Sequence, residues 1–156
     1  MYLEHGPECH ASYHAGEFNA LKIVRSRTSI PAPDPIDLLV SPTESFLMVP
    51  RIEGVPAGHV IDDCSDEENK DSKSAITNAA GDPCLNYRID SRPVGPFPTE
   101  KEFSESLQLG ILPGLMHRTD HKIFFTHADL NMRNILVKDG KISGIVDWEN
   151  SGWYTE

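Results

Sequence analysis

The first regular pattern of apolar residues lies near the start of the chain and predicts a helix. In residues 17–27 (EFNALKIVRSR), apolar side chains recur three positions apart, at Phe18, Leu21 and Val24, which is the spacing of one helix face. Residues 28–37 follow and contain three prolines. Because proline lacks an amide donor and disfavours helical geometry in the residue before it, this second segment is predicted to be a linker.

Short apolar runs after the linker predict two strands, and a capping signal predicts a second helix. Residues 36–40 and 45–52 flank a Ser-Pro-Thr turn and are rich in branched and aromatic side chains, as paired strands are. Residues 99–109 are predicted to form a helix, because Thr99 followed three positions later by Glu102 is a capping box. The residues of this helix that we expect to face the core are Phe103 and Leu107.

The last third of the chain predicts a β-hairpin preceded by a buried strand. Residues 123–126 (IFFT) form a short apolar run. Two further apolar runs, 135–137 and 142–146, flank the pair Asp139 and Gly140. An Asp-Gly pair between apolar runs strongly favours a two-residue hairpin turn.

Three stretches carry no regular pattern. Residues 61–83 are dense in Asp, Glu, Ser and Lys and hold almost no large apolar side chain. Such a segment buries too little surface to offset the entropy of ordering, so it is predicted to be a loop or disordered. Residues 84–98 continue as an irregular, proline-rich loop, and residues 1–16 are polar and are predicted to form turns.

The composition excludes several classes of function. The formal net charge is −10, which opposes contact with a nucleic-acid backbone and favours cations. No apolar run approaches the roughly 20 residues of a membrane helix, and the first residues lack the pattern of a secretory signal. The three cysteines are widely spaced, which argues against a disulfide framework and favours a cytoplasmic location. The oligomeric state is unknown at this stage.

The predicted hairpin brings polar residues to one end of the structure. With the two-residue turn in place, Asn134 is predicted to face Ile145, and Asp147 lies two residues, roughly 7 Å, further along the strand. Asp129 lies in the loop that leads into Asn134. Two carboxylates and an amide oxygen are the hard ligands that Mg²⁺ prefers, so the sequence predicts a magnesium site here.

The same residues form a pattern that resembles kinase-like phosphotransferases, namely His127-x-Asp129-x-x-x-x-Asn134 followed by Asp147. The stretch THADLNMRNILVKDGKISGIVDWENSGWY resembles the aminoglycoside phosphotransferase family more than protein kinases, which have Asp-Phe-Gly where this chain has Asp-Trp-Glu. Upstream, GEFNALKIVRSRTSIPAPDPI, SFLMVPRIEG and VGPFPTEKEF are similar to phrases of the family's fungal members. The patches of resemblance therefore extend over most of the chain.

The resemblance implies an α+β, protein-kinase-like fold that is present only in part. It implies an incomplete N-lobe remnant in residues 1–53, an irregular linker region in residues 54–98 and a partial C-lobe in residues 99–156. The family's first strands, its phosphate-covering loop and its last helices have no counterpart in the sequence. The chain is therefore expected to be truncated.

The resemblance also implies ATP-dependent phosphoryl transfer to the hydroxyl of a small molecule. Asp129 would be the base and His127 would orient its loop. Asn134 and Asp147 would hold Mg²⁺ on the phosphates of ATP. The residues implied to bind the cofactor are Glu17, Met48, Asn134 and Asp147.

One departure from the family pattern opens a second hypothesis. The segment YLEHG resembles the strand whose Lys contacts the nucleotide phosphates and pairs with the helix Glu, and Glu4 stands at the Lys position. A carboxylate there repels phosphate, and Glu17 without its Lys partner is expected to be a solvated charge at the helix start. The alternative to an enzyme is therefore a catalytically inactive remnant or a pseudokinase-like binding module. A metal-dependent hydrolase would need more His ligands than this pattern offers.

Overall fold

The computed structural model describes residues 1–7, 10–59, 72–73, 75–84, 92–110 and 119–155. Contacts divide the chain into two compact units. The first unit comprises residues 1–68 and 129–149, and the second comprises residues 69–128 and 150–156. Each unit therefore combines two separated segments, and the predicted three-part organisation stays a prediction.

The first unit contains an antiparallel sheet that packs against a helix. The elements are β1 (Tyr2–Pro7), α1 (Ala11–Arg27), β2 (Asp37–Val40) and β3 (Glu44–Val49), and the strand order is β1-β3-β2. The apolar face of α1 buries Ala20, Leu21 and Val24, as the spacing predicts. Helix α1 contacts β3 most extensively, and a buried hydrogen bond of 2.8 Å joins Ser45 Oγ to His14 Nδ1. The predicted helix, linker and strand pair are confirmed.

The prediction of polar turns in residues 1–16 is wrong. Residues 2–7 pair along their whole length with β3, and α1 begins at Ala11, six residues before the predicted start. His14 and Gly16 are buried in the added part of the helix. The sequence pattern misses these elements because pairing with β3 and burial of polar side chains, not apolar spacing, hold them in place.

A second sheet of the first unit contains the predicted hairpin. Its strands are β4 (Val55–Pro56), β8 (Ile135–Lys138) and β9 (Lys141–Ile145), in the order β4-β8-β9. Asp139 and Gly140 form the turn with φ values of 53° and 73°, the left-handed geometry of a type I′ turn. The predicted turn is therefore confirmed, whereas β4 has no apolar pattern that predicts it.

The predicted register of the hairpin is wrong by one residue on the side of the candidate site. Lys138 pairs with Lys141, as predicted, but the register shifts between Leu136 and Val137, so that Ile135 and not Asn134 faces Ile145. The shift is a β-bulge with Ser143 as the extra residue. Asn134 accordingly faces Val146.

The second unit is a four-stranded sheet with a helix in the same unit. Its elements are β5 (Ser72–Lys73), β6 (Thr77–Asn78), α2 (Glu100–Gly110), β7 (Ile123–Thr126) and β10 (Gly152–Thr155), and the strand order is β5-β7-β10-β6. In the core, the ring of Trp153 packs edge-on against Phe125 with 5.4 Å between centroids. Strand β7 is confirmed, and β10 carries no signal that we recognise in the sequence.

Two predictions about the second unit need correction or completion. Strands β5 and β6 lie in the segment predicted to be a loop, and Ile76 and Asn78 are buried there. These short strands form because β7 and β10 supply partners from far along the chain. Most of the loop prediction concerns residues 60–71, which lie outside the described residues.

Helix α2 begins one residue after its predicted start. Thr99 Oγ1 accepts the Glu102 N–H at 3.3 Å, which is the N-cap half of the predicted capping box. Phe103 is half-buried and contacts Phe97 with 5.5 Å between ring centroids, whereas the Leu107 side chain lies outside the described residues. No helix in the described part of the chain has the length and apolar character needed to cross a membrane.

Candidate active site

Asn134 joins the loop and the hairpin of the first unit. Its side chain is buried, with 4% exposed. The amide Nδ2 donates to the Asp129 carbonyl at 3.1 Å, and the Asn134 carbonyl accepts the Val146 N–H at 2.9 Å. Asp129 and the residue before Asp147 therefore both hydrogen bond to Asn134. Because Nδ2 is used as a donor, the side-chain oxygen remains to accept a cation.

The bulge in β9 determines where Asp147 lies. Val146, and not Ile145, pairs with Asn134. Asp147 therefore lies one residue beyond the paired position, whereas the sequence predicted two residues. Asp147 has a φ of 67°, a left-handed conformation that is uncommon for residues other than glycine. Such conformations concentrate at functional sites, where surrounding contacts hold them. The shift and the turn together bring the Asp147 segment beside Asn134.

The loop that carries Asp129 is held by its own side chains. Asn131 Nδ2 donates to the Asp129 carbonyl at 2.9 Å, and Asn131 Oδ1 accepts the Arg133 N–H at 3.0 Å. The Asp129 side chain is 33% exposed and pairs with Arg133 Nη2 at 3.2 Å. An ion pair as exposed as this one contributes little to stability. These contacts leave the Asp129 carboxylate accessible from solvent.

His127 belongs to the second unit, unlike the other predicted site residues. Its side chain is buried, and its carbonyl accepts the Ser151 hydroxyl at 3.5 Å. Ala128 follows it with a φ of 65°, so the chain turns sharply at the start of the loop. The predicted role of His127 in orienting this loop stays a prediction.

A cavity of about 460 Å³ lies within the first unit. Its walls are mostly apolar and come from the segment after β3 and from the hairpin, whereas four of its lining residues are acids. The lining residues are Tyr2, Glu4, Glu17, Pro33, Val49, Pro50, Arg51, Ile52, Leu136, Val146, Asp147 and Glu149. Met48 is not among them, because successive residues of β3 point to opposite faces and Val49 is the one that lines the cavity.

Two of the acids, Glu4 and Glu17, are hydrogen bonded to each other. Burial and then the charge of Glu4 raise the pKa of Glu17 well above its ordinary value. Burial is likewise the main cause that raises the pKa of Glu4. Glu17 is 6% exposed, so the expectation of a solvated charge is wrong. The earlier start of α1 explains the error, because it places Glu17 inside the helix and not at its end.

Glu149 also lines the cavity, and the sequence pattern does not decide its role. Burial raises the pKa of its carboxyl, and the charges of Asp147, Glu4 and Asp129 raise it further. Glu149 therefore lies close enough to other acids for their charges to act on it, and Arg51 is the cation among the lining residues. The sequence does show that Glu149 lies two positions after the candidate ligand Asp147. The spacing does not show that the Glu149 side chain is half-buried.

The residues present fit Mg²⁺ better than they fit the phosphates of ATP. Asp147 and Asn134 offer hard oxygen ligands, and Mg²⁺ commonly keeps waters and takes only one or two protein ligands. Within the described residues, no group of three or more His, Cys, Asp and Glu is arranged to hold a metal. The apolar walls suit a flat heterocycle, whereas Glu4 and Glu17 present negative charge to phosphate oxygens.

Comparison with known proteins agrees with this fold. Residues 99–155 match the sequence model of the phosphotransferase enzyme family. An aminoglycoside 3′-phosphotransferase from Enterococcus faecalis is 32% identical over 104 residues, covering 60% of this chain and 35% of that protein. A second one, from Staphylococcus aureus, is 31% identical with the same coverage. The chain thus spans about a third of the length of these curated relatives.

Solved structures show the same fold. A thermostable mutant of aminoglycoside phosphotransferase APH(4)-Ia, in a ternary complex with ADP and hygromycin B, aligns with a TM-score of 0.58. The identity is 14%, and the alignment covers 97% of this chain and 60% of that one. The apo form of such a mutant aligns with a TM-score of 0.57 at 16% identity and with the same coverage.

The mixed helix-and-sheet structure matches part of a kinase-like fold. The α+β prediction is confirmed. Over the matched residues, the chain is similar to aminoglycoside phosphotransferases.

Proposed function

We propose that this chain carries the catalytic centre of a Mg²⁺-dependent phosphotransferase that moves the γ-phosphoryl group of ATP to a hydroxyl of a small molecule. The observation that carries the proposal is the position of Asn134, which is hydrogen bonded to Asp129 through its side chain and to Val146 through its carbonyl. These bonds support a cluster in the first unit of the proposed base, Asp129, and the proposed metal ligands, Asn134 and Asp147. Positioning and charge neutralisation are the main requirements of phosphoryl transfer.

Each residue of the cluster has a role in the proposed reaction. The acceptor hydroxyl oxygen forms a bond to the γ-phosphorus, the bond from that phosphorus to the bridging oxygen of ADP breaks, and Asp129 takes the hydroxyl proton. The products are a phosphate ester and ADP. Asn134 and Asp147 would hold Mg²⁺, which when bound supplies positive charge to the phosphate oxygens. His127 would orient the loop from its start.

A calorimetric titration with Mg-ATP tests the metal role of Asp147. Asp147→Asn should abolish the binding heat or weaken affinity by about tenfold or more, since it removes a charged metal ligand. Asp139→Asn is the matched control, because Asp139 also has a positive φ, lies in the same hairpin and is exposed. Equal affinities in the two variants would contradict the proposal.

The names of the relatives support an aminoglycoside as the acceptor class. Several acids line the cavity, and their charges would attract such polycations. Transfer of radioactive phosphate to a panel of aminoglycosides, including hygromycin B, measures the activity. Asp129→Asn should lower turnover by about 10²–10⁴-fold while Mg-ATP binding persists, as loss of a general base does. Dependence on ATP and the cysteine pattern both favour a cytoplasmic site of action.

A specific observation favours a second candidate, a pseudokinase-like binding module without phosphoryl transfer. Glu4 is hydrogen bonded to Glu17 at the place where the family pattern has a Lys. Two carboxyls there cannot neutralise the charge that develops on phosphate oxygens. In this case the cavity would bind a ligand other than a nucleotide.

Glu4→Lys separates the two candidates. A Lys at this position can pair with Glu17 and offers an ammonium group to phosphate, so a latent nucleotide site should bind Mg-ATP about tenfold more tightly. Calorimetry of the variant beside the unaltered protein measures the difference. If neither protein shows binding heat, the result supports the alternative of a catalytically inactive remnant or binding module.

A further inference from the structure

We propose that Glu17 is a positioning residue for Asp147, which it holds through the backbone amide of Trp148. The proposal rests on the assignment of Asp147 as a metal ligand for its functional meaning, but not for its geometry. It gives Glu17 a role that does not depend on a Lys partner. The contact spans 131 positions of sequence and joins α1 to the residue that follows Asp147.

The contact itself is a single, buried hydrogen bond. Glu17 Oε1 accepts the Trp148 N–H at 3.2 Å. Only 6% of Glu17 is exposed. Burying a carboxyl costs free energy unless it makes hydrogen bonds, and an apolar side chain at this helix position would fill the same space without that cost. A packing role alone therefore does not account for an acid here, whereas an acceptor for a buried amide does.

Three hydrogen bonds enclose the left-handed residue. The Val146 N–H donates to the Asn134 carbonyl at 2.9 Å on one side of Asp147. On the other side, Trp148 is held twice, by its N–H on Glu17 and by its indole Nε1–H on the Ile145 carbonyl at 2.8 Å. An uncommon φ persists only where the surrounding structure fixes it. The bond to Glu17 is made by a side chain of a helix distant in sequence, whereas the acceptors of the other two are backbone carbonyls.

The role of Glu4 differs from that of Glu17. Glu4 is hydrogen bonded to Glu17, and the contact to the backbone beside Asp147 belongs to Glu17. Substitutions at position 17 that remove the acceptor oxygen should therefore change the Asp147 conformation. An exposed acid of the same unit should leave that conformation unchanged, and Glu53, whose side chain is 76% exposed, is the matched control.

The test compares variants that keep or remove the acceptor oxygen. Glu17→Gln keeps an oxygen that can accept the Trp148 N–H, Glu17→Leu has a similar size and no acceptor, and Glu53→Gln is the control. Nuclear magnetic resonance of the full chain reads the Trp148 amide proton shift and the one-bond Cα–Hα coupling of Asp147, which differs between positive and negative φ. We expect both signals to stay in Glu17→Gln and to change in Glu17→Leu.

A Mn²⁺ titration gives the functional readout on the same samples. We expect Glu17→Gln to bind Mn²⁺ within about twofold of the unaltered protein and Glu17→Leu to bind about tenfold more weakly, as loss of a hydrogen bond to a charged group allows. Should Glu17→Leu not fold, Glu17→Asp replaces it, because its shorter side chain keeps the charge and loses the reach.

The outcomes separate this inference from the proposed function. An unchanged Asp147 coupling in Glu17→Leu, or in Glu17→Asp, overturns the positioning role whatever the metal does. A changed coupling supports that role even if the unaltered protein fails to bind Mn²⁺, in which case the proposed metal site fails and the geometric inference stands.

Discussion

Glu4 and Glu17 place two carboxyl groups in contact, one on β1 and one on α1, and burial raises the pKa of both. Full ionisation of the pair brings two negative charges together in a medium of low dielectric constant. The arrangement with the lowest electrostatic cost therefore has one carboxyl neutral, with its O–H donating a hydrogen bond to the other carboxyl. This residue-scale arrangement links the stability of the first unit to pH.

Stability should fall as pH rises through the raised pKa values of this pair. Because the folded-state pKa lies above the unfolded-state value of each acid, the contribution is fully present below the unfolded value and is lost as pH rises through the folded value. Glu4→Gln keeps a donor to Glu17 and removes one titrating group. Its melting temperature should therefore decline less than that of the unaltered protein between about pH 5 and pH 9.

Thermal unfolding followed by circular dichroism measures this difference. Glu53→Gln serves as control, because it removes an exposed acid whose pKa a neighbouring Lys138 lowers. Parallel pH profiles for Glu4→Gln and the unaltered protein would exclude the pair as a source of the pH dependence.

At the residue scale, the sequence predicts the candidate ligands better than their surroundings. Asp129, Asn134 and Asp147 follow from spacing, because a tight turn brings the two strand ends together whatever the packing around them. The burial of Glu17 does not follow, since it depends on β1, whose polar residues give no strand pattern. The resemblance to the family identifies Glu4 as unusual, yet its hydrogen bond to Glu17 is visible only in the fold.

In the hairpin of β8 and β9, likewise, the sequence predicts one feature, the turn, and does not predict another, the strand register. Asp139-Gly140 predicts the turn, because both residues adopt left-handed geometry readily. The bulge at Ser143 escapes prediction, because the register depends on what packs against the strand. Gly144 follows the bulge, and a Cβ added there would lie 2.6 Å from Ile52 Cδ1. Close approach of the segment after β3 therefore accompanies the shifted register.

Gly144→Ala should destabilise the first unit by about 1–3 kcal/mol, the usual cost of overpacking. Urea unfolding measures the change. Ile52→Ala removes the atoms that the new methyl group meets, so the double variant should be less destabilised than the sum of the single variants. Additive effects would show that the contact with Ile52 does not limit this position.

Strand β10 carries Trp153, the largest fully buried side chain among the described residues of the second unit. Trp153→Ala should lower the free energy of unfolding by about 3–5 kcal/mol, as large-to-small changes of aromatic core residues do. Trp153→Phe is the control and should cost less, because it keeps a ring against Phe125. A loss below about 1 kcal/mol for the alanine variant would contradict the described packing.

Across the whole molecule, the net charge of −10 adds self-repulsion to the folded state. Raising NaCl from about 20 to about 200 mM should raise the melting temperature by screening. MgCl₂ at the same ionic strength should raise it further through the proposed site, by mass action on the folded state. Asp147→Asn should lose only this additional effect, and an equal response to both salts in the unaltered protein would contradict a magnesium site.

The fold class is the part of the whole that the sequence predicts correctly, whereas the division into units is not visible in it. The α+β class follows from one amphipathic helix and several short apolar runs. Each unit is built from two separate stretches of the chain: residues 129–149 return to the first unit, and residues 150–156 return to the second. A local sequence pattern does not identify the distant strand that will pair with a given strand, because the pattern is the same whichever strand is the partner.

Because the first unit is discontinuous in sequence, its synthesis on the ribosome has a consequence for folding. Val55 of β4 pairs with Val137 of β8, so the amino-terminal part of the first unit leaves the ribosome long before its partner hairpin is translated. A nascent chain of residues 1–68 has no hairpin to cover Ile52 and lacks the amide that Glu17 accepts. Folding of this unit during translation must wait until about residue 149 has emerged, which exposes an unfinished sheet to chaperones and to aggregation.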